Sequence, residues 1–340
     1  ARRNGRSCGP FSTIHTMNPP ASNASPQAVD TTAKAACPVC NGSAHYDFSG
    51  RDLMFDQHRR YDYHLCTDCS AVFQHPMPDM RAIESFYPHE YSVYDEDERT
   101  RRIGSWRRAL LQRTRGYRHL DVALPWRLLA SLLAPFMTPP GTPEYVRDGR
   151  MLDVGCGNGR HLSTMRALGW QVQGVEFSEG GVRVCRMADL PVHHGDLLSA
   201  GFPGASFDLI TVRHVIEHIA EPHPFMAELT RILKPGGRLL IETPNSAALG
   251  RAWFGPNWYH NDVPRHLILF SPTNLERLAG HHGLRHAGSD METSPKAILN
   301  SLDYAMQNRG RPSRKNRWCR FLARLYVVLA RRSGRGDTFR

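Results

Sequence analysis

The chain has 340 residues, 41% of them hydrophobic and 22% charged, enough for one large domain plus a smaller module, or for two domains. Its net charge of +11 is carried by two segments: residues 309–340 hold eleven Lys/Arg and one acid, residues 99–118 eight Arg and no acid, and the remainder is mildly acidic. That distribution excludes a chain coated in positive charge for generic nucleic-acid binding.

Residues 1–36 are rich in Ser, Thr, Pro, Asn and Ala without hydrophobic periodicity, and read as a disordered leader. They hold no apolar run of the secretory kind, and Met17 is a candidate natural start. Of the eight cysteines, four form the pairs Cys37-Pro38-Val39-Cys40 and Cys66-Thr67-Asp68-Cys69, 25 residues apart. Two C-x-x-C turns suit a zinc ribbon, so residues 37–98 are expected to form a zinc-ribbon-like module. Its ligands would be Cys37, Cys40, Cys66 and Cys69, and its Zn2+ structural, because four thiolates leave no open position for catalysis. This cysteine usage points to a reducing, cytoplasmic compartment. Residues 99–149 begin with the arginine-rich stretch and continue into an apolar run at 120–137, broken by Pro125, Arg127 and Pro135. The breaks exclude a membrane span and favour a helical connector or lid over membrane contact.

From residue 150 strand and helix patterns alternate, as in a parallel sheet with helices on both faces. Strands are expected at 151–154, 171–176, 191–195, 207–212 and 238–243, and helices at 178–188 and 221–233. Ser271 is the N-cap and Pro272 the first residue of a further helix. Residues 301–340 read as a basic tail containing an amphipathic helix at 317–332. That helix would lie in a membrane interface, placing the protein peripherally at the inner membrane surface, dock on a partner, or pack on its own chain.

The central motifs are Leu152-Asp153-Val154-Gly155-Cys156-Gly157-Asn158-Gly159, Gly174-Val175-Glu176, Gly195-Asp196, Phe207-Asp208-Leu209-Ile210 with Val215-Ile216-Glu217-His218, and Leu233-Lys234-Pro235-Gly236-Gly237. In this order and spacing they resemble the class I S-adenosylmethionine (SAM)-dependent methyltransferases over roughly residues 150–290. The resemblance implies an α/β, Rossmann-like fold with a mostly parallel seven-stranded sheet and a SAM-binding domain over 150–300. It assigns the ribose hydroxyls to Glu176, followed by Phe177, and the methionine end to Asp153 and the turn of Gly155, Cys156, Gly157 and Gly159. Asp196 and Leu197 would meet the adenine, and Arg213 and His214 would face the sulfonium region.

The acceptor is expected beyond the fifth strand, where Trp253, Phe254, Trp258, Tyr259 and His260 precede His266. His266-Leu267-Ile268-Leu269-Phe270-Ser271 resembles a segment of a subgroup with an N-terminal C-x-x-C ribbon, including deoxysugar C-methyltransferases. In that subgroup the matching histidine is the base, so His266 is the candidate base, and His214, facing the sulfonium region, is the other candidate catalytic residue. The tyrosine expected three residues before that histidine is Val263 here. The expected reaction is methyl transfer to oxygen or carbon of a small, sugar- or lipid-linked acceptor. RNA methylation at a ring nitrogen or ribose, with the ribbon binding substrate, is the first alternative, and a non-catalytic SAM-binding scaffold the second.

Overall fold

The computed structural model describes residues 35–87, 103–137, 141–309 and 317–340. Nearly all of the expected leader, the acidic run at 95–98 and the basic residues 310–316 lie outside them. The chain first forms an antiparallel meander of β1 (Ala35–Ala36), β2 (Ser43–Arg51), β3 (Arg60–Cys66) and β4 (Val72–Gln74). Each cysteine pair occupies a tight turn, closed by Asn41 at φ +59° and Ser70 at φ +58°. The turns are alike: the Val39 amide donates to Cys37 Sγ and the Asp68 amide to Cys66 Sγ, both at 3.4 Å.

After α1 (Met80–Ser85), α2 (Ser105–Thr114) and α3 (Leu124–Leu133) form the connector. Leu111 of α2 packs with Tyr117, Met151, Met165 and Trp170, which ties the connector to the central sheet. On α3 only Ala130 is buried. Leu124, Leu128 and Leu132 stay largely exposed.

The central domain then alternates: β5 (Arg150–Val154), α4 (Arg160–Ala167), β6 (Gln171–Glu176), α5 (Glu179–Met187), β7 (Val192–His194), β8 (Phe207–Arg213), α6 (Pro222–Ile232) and β9 (Leu233–Pro244). These five strands are parallel, in the order β9-β8-β5-β6-β7. Their middle members are largely apolar because helices cover both faces; Met151, Leu152, Ile210 and Val212 are fully buried, and the polar Asp153 and Thr211 bond each other. Strand β9 starts earlier than expected. Leu233 already pairs with Phe207, and Lys234 to Gly237 form an irregularity inside the strand.

The chain continues through α7 (Leu249–Phe254), β10 (Ile268–Leu269), α8 (Pro272–His281), β11 (Met291–Glu292), α9 (Pro295–Gln307), α10 (Arg317–Arg332) and β12 (Thr338–Phe339). The Ser271 hydroxyl caps α8 in a capping box with Asn274.

Two expected boundaries move. The segment 301–340 is not a detached tail: β12 joins β9 and β11 in antiparallel fashion and completes a seven-stranded sheet, β11-β12-β9-β8-β5-β6-β7. Nor does the ribbon stand apart, since β4 pairs with β10 and makes a five-stranded sheet, β1-β2-β3-β4-β10. Ribbon and central residues share one hydrophobic core that includes Phe73, Tyr63, Ile268 and Phe270. Among the described residues no helix is long and apolar enough to cross a membrane.

Candidate active site

The carboxyl edge of β5 runs into Gly155, Gly157 and Gly159, all with φ between +57° and +73°. Glycine takes these angles most readily, and at Gly155 there is no room for more: a Cβ there would stand 2.3 Å from Val215 Cγ2. At the end of β6, Glu176 is buried, its two carboxylate oxygens accepting the amides of Gly157 and Ser178 at 2.8 Å each. The acid and the glycine turn therefore form one rigid unit. Cys156 and Cys185 bury their thiols 3.9 Å apart beneath it.

Asp153 is buried and accepts a bond from the Thr211 hydroxyl at 2.5 Å. Burial raises its pKa to about 6, partly offset by that hydroxyl. Phe177 is 63% exposed beside Glu176. Asp196 is exposed and its carboxylate takes the Ser199 amide at 2.7 Å, while the Leu197 side chain belongs to the core. His161, at the start of α4, buries Nε2 without a hydrogen-bond partner. Burial, helped by the Arg213 charge, lowers its pKa to about 4 and keeps it neutral.

A second cluster forms where β8 and β9 end. His214 sits at φ +54°, unusual for a residue with a side chain, and its amide donates to the Glu242 carbonyl at 2.8 Å. Its imidazole lies between two carboxylates, Nδ1 3.3 Å from Glu217 Oε1 and Nε2 3.5 Å from Glu242 Oε1. Burial disfavours the charged ring, but the two carboxylates prevail and raise its pKa to about 10. Glu217 is fully buried; burial opposes its charge, yet the histidines around it hold its pKa at about 2. Glu242 is held at about 2 against burial by His214, Arg213 and Arg340. Arg213 Nε meets Glu242 at 3.3 Å. The two carboxylates thus favour the protonated ring of His214.

This cluster forms one wall of a cavity of about 680 Å³. Arg213, His214, Glu242 and His260 face Trp106, Leu110 and Met137 of the connector across it. Connector residues therefore cover the strand ends where ligands of such sheets bind. Of the aromatic loop only His260 reaches the cavity; Trp258 is buried and Trp253 points to solvent.

His266 is brought to the cluster but does not line the cavity. Its Nδ1 lies 2.8 Å from the His260 carbonyl oxygen, which requires the proton on Nδ1. Nε2 lies 4.0 Å from Glu217 and 3.8 Å from Asp262. Its position is set by the ribbon. Tyr63 donates to the His266 carbonyl oxygen at 2.8 Å, and the buried Arg265 bonds Asp52 at 2.7 and 3.2 Å and Asp262 at 2.6 Å.

A family described as methyltransferase domain matches residues 94–286, more than half of the chain. The chain belongs to this methyltransferase family. Curated relatives of the methyltransferase include proteins named ubiquinone biosynthesis O-methyltransferase. That of Maricaulis maris is 32% identical over 127 residues, 34% of this chain and 49% of the relative. That of Chromobacterium violaceum is 30% identical over 149 residues, 40% of this chain and 64% of the relative. The match thus spans about half to two thirds of the length of these relatives. Among solved structures, a SAM-dependent methyltransferase of Archaeoglobus fulgidus shares 18% identity at a TM-score of 0.42, covering 63% of this chain and 91% of that one.

The methyltransferase uses SAM, and the chain's own atoms fit that cofactor. The glycine turn lets a ligand approach the backbone, the Glu176 carboxylate stands beside it, and His161 offers an unpaired buried nitrogen. The four ribbon thiols also form a coherent donor set. Their sulfurs all lie within 4.8 Å of one another, with Cys37–Cys69 at 3.7 Å and Cys40–Cys66 at 3.5 Å. Four Zn–S bonds of ~2.3 Å in a tetrahedron put sulfurs about 3.8 Å apart.

Sequence reading missed Glu242, and it placed His260 in the loop beside the acceptor and residues 99–149 in a connector or lid without saying which connector residues line the cavity. Glu242 was findable, because it stands at the carboxyl end of a predicted strand. Trp106 and Met137 carry no local signal, since only tertiary packing brings them over the sheet.

Proposed function

We propose that this methyltransferase transfers the methyl group to an oxygen of a small acceptor, phenolic or sugar- or lipid-linked, held in the cavity over β8 and β9. The observation that carries this reading is the set of hydrogen-bonding groups of Arg213, His214 and Glu242 on one cavity wall, facing apolar Trp106, Leu110 and Met137. The names of the relatives, O-methyltransferases of ubiquinone biosynthesis, favour oxygen over carbon. When bound, SAM supplies a methyl carbon already activated by its sulfonium.

What remains for the protein is alignment and control of the acceptor's charge. Alignment alone is worth ~7–11 kcal/mol when two reactants are well oriented. In this reading Glu176 holds the ribose hydroxyls, with Phe177 beside it, and Asp196 and Leu197 hold the adenine. The turn from Gly155 to Gly159, with Cys156, and Asp153 hold the methionine end. The imidazolium of His214 and the guanidinium of Arg213 lower the pKa of the acceptor hydroxyl, whose proton leaves to solvent, and they stabilise its oxyanion. Arg213 and His214 would hold the acceptor oxygen toward the methyl group of bound SAM. His266 stands behind Glu217 and acts on the site through that carboxylate, not by touching the acceptor. Cys37, Cys40, Cys66 and Cys69 hold one structural Zn2+.

The test is incubation with isotope-labelled SAM and three acceptor pools: phenols and catechols, sugar nucleotides, and RNA. Label recovered as an O-methyl group in a small molecule supports the reading. Label found only in RNA overturns it.

A further inference from the structure

Helix α10 presents three distinct faces. Ala323, Tyr326 and Ala330 turn inward and pack with Ile298 of α9, and Tyr326 donates to Asp337 at 2.6 Å. A second face carries Trp318, Phe321, Leu322, Leu325, Val328 and Leu329, between 43% and 74% exposed. Arg317, Arg320, Arg324 and Arg331 occupy the third, Arg332 closes the apolar face at the last turn, and the helix has no acidic residue. The apolar stripe is therefore not the face that anchors the helix. That work falls to the small residues and Tyr326. Folded chains seldom leave a contiguous apolar patch of this kind exposed unless something covers it.

The charge pattern selects the occupant. The arginines flank the stripe in a row with no alternating acids, so a second copy of α10 laid against the first would bring two cationic rows together with nothing to pair them. An anionic lipid surface accepts both features at once. Apolar side chains enter the boundary between headgroups and acyl chains, while arginine stems extend toward the phosphates. The adjoining sequence adds Arg311, Arg314 and Lys315.

We propose that α10 lies in the headgroup layer of an anionic bilayer, with Trp318, Phe321, Leu322 and Leu325 inserted. The proposal is independent of which acceptor is methylated. The whole chain is sedimented with vesicles of phosphatidylcholine alone and of equal parts phosphatidylcholine and phosphatidylglycerol. Wild type is expected to pellet with the anionic vesicles and far less with the neutral ones. The paired substitution Phe321→Glu with Leu325→Glu abolishes pelleting while leaving SAM affinity and helix content unchanged. Arg320→Gln and Arg324→Gln each weaken binding about fivefold, since an arginine near such a surface contributes ~1 kcal/mol. Raised salt weakens it likewise. Wild type that stays in solution with anionic vesicles, or a folded double-glutamate variant that pellets as well as wild type, overturns the proposal. So does a wild-type dimer that the glutamates dissociate and that ignores vesicles, which would assign the stripe to a second copy.

Discussion

Asp52→Ala removes the ribbon's hold on the loop that carries His266. The Arg265 side chain is 1% exposed, and its guanidinium bonds Asp52 twice, at 2.7 and 3.2 Å, and Asp262 at 2.6 Å. Breaking a buried ion pair from one side costs ~3–5 kcal/mol, because the other charge is left without its partner. Asp262 still faces Arg265, so the lower end applies, about 3 kcal/mol. With a urea slope of ~3 kcal/mol/M, suited to a large domain, the unfolding midpoint should fall by about 1 M. The Glu176 turn touches neither residue, so SAM affinity should be unchanged. Asp52→Leu with Arg265→Met and Asp262→Asn removes all three charges of the cluster and should recover much of the loss, as replacement of a whole buried ionic cluster by uncharged groups often does. A midpoint unmoved in Asp52→Ala would refute this account of the ribbon. A triple variant no better than the single one would refute the charge argument.

Other outcomes follow from the same structure. Metal analysis should find one zinc per chain, lost in Cys37→Ser with Cys40→Ser; a metal-free wild type would remove the ribbon site. His214→Gln should lower kcat about a hundredfold, the scale of losing one oxyanion-stabilising group, with SAM affinity nearly unchanged. The His214 pKa is raised from 6.5 to about 10, so its stabilising pairing is complete below pH 6.5 and is lost as pH rises through about 10. Glu217 and Glu242 are lowered from 4.5 to about 2, so their share is complete above pH 4.5 and lost as pH falls through about 2. NMR titration of the His214 ring should therefore show no transition near pH 6.5, and a midpoint there would contradict the paired-cation reading.

The sequence discloses elements whose signals are local. Five parallel strands, the glycine turn, the Ser271 cap and the full extent of α10 follow from periodicity, positive-φ glycines and capping residues, and the structure has them. Strands β11 and β12 are two residues each and have no pattern of their own; β12 forms because Thr338 and Phe339 pair with Pro244 and Thr243, far away in sequence. The same limit hides the join between ribbon and central domain, which rests on Ile268 and Leu269 meeting Phe73 and Val72. At the site, Glu176 and the cysteine turns were legible because motif and spacing define them. The carboxylate surroundings of His214 and His266 were not. Whether a histidine is base, cation or support depends on which carboxylates surround it, and Glu217 lies between the two rings only in the fold.

The most direct test is titration calorimetry of SAM against wild type and Glu176→Ala. Two hydroxyl–carboxylate bonds at ~1.5–3 kcal/mol each predict a loss of at least about a hundredfold, increased by release of the Gly157 and Ser178 amides. Saturable one-to-one binding by wild type that the variant loses is the predicted result. Wild type without SAM binding, or equal affinity in both, contradicts the account.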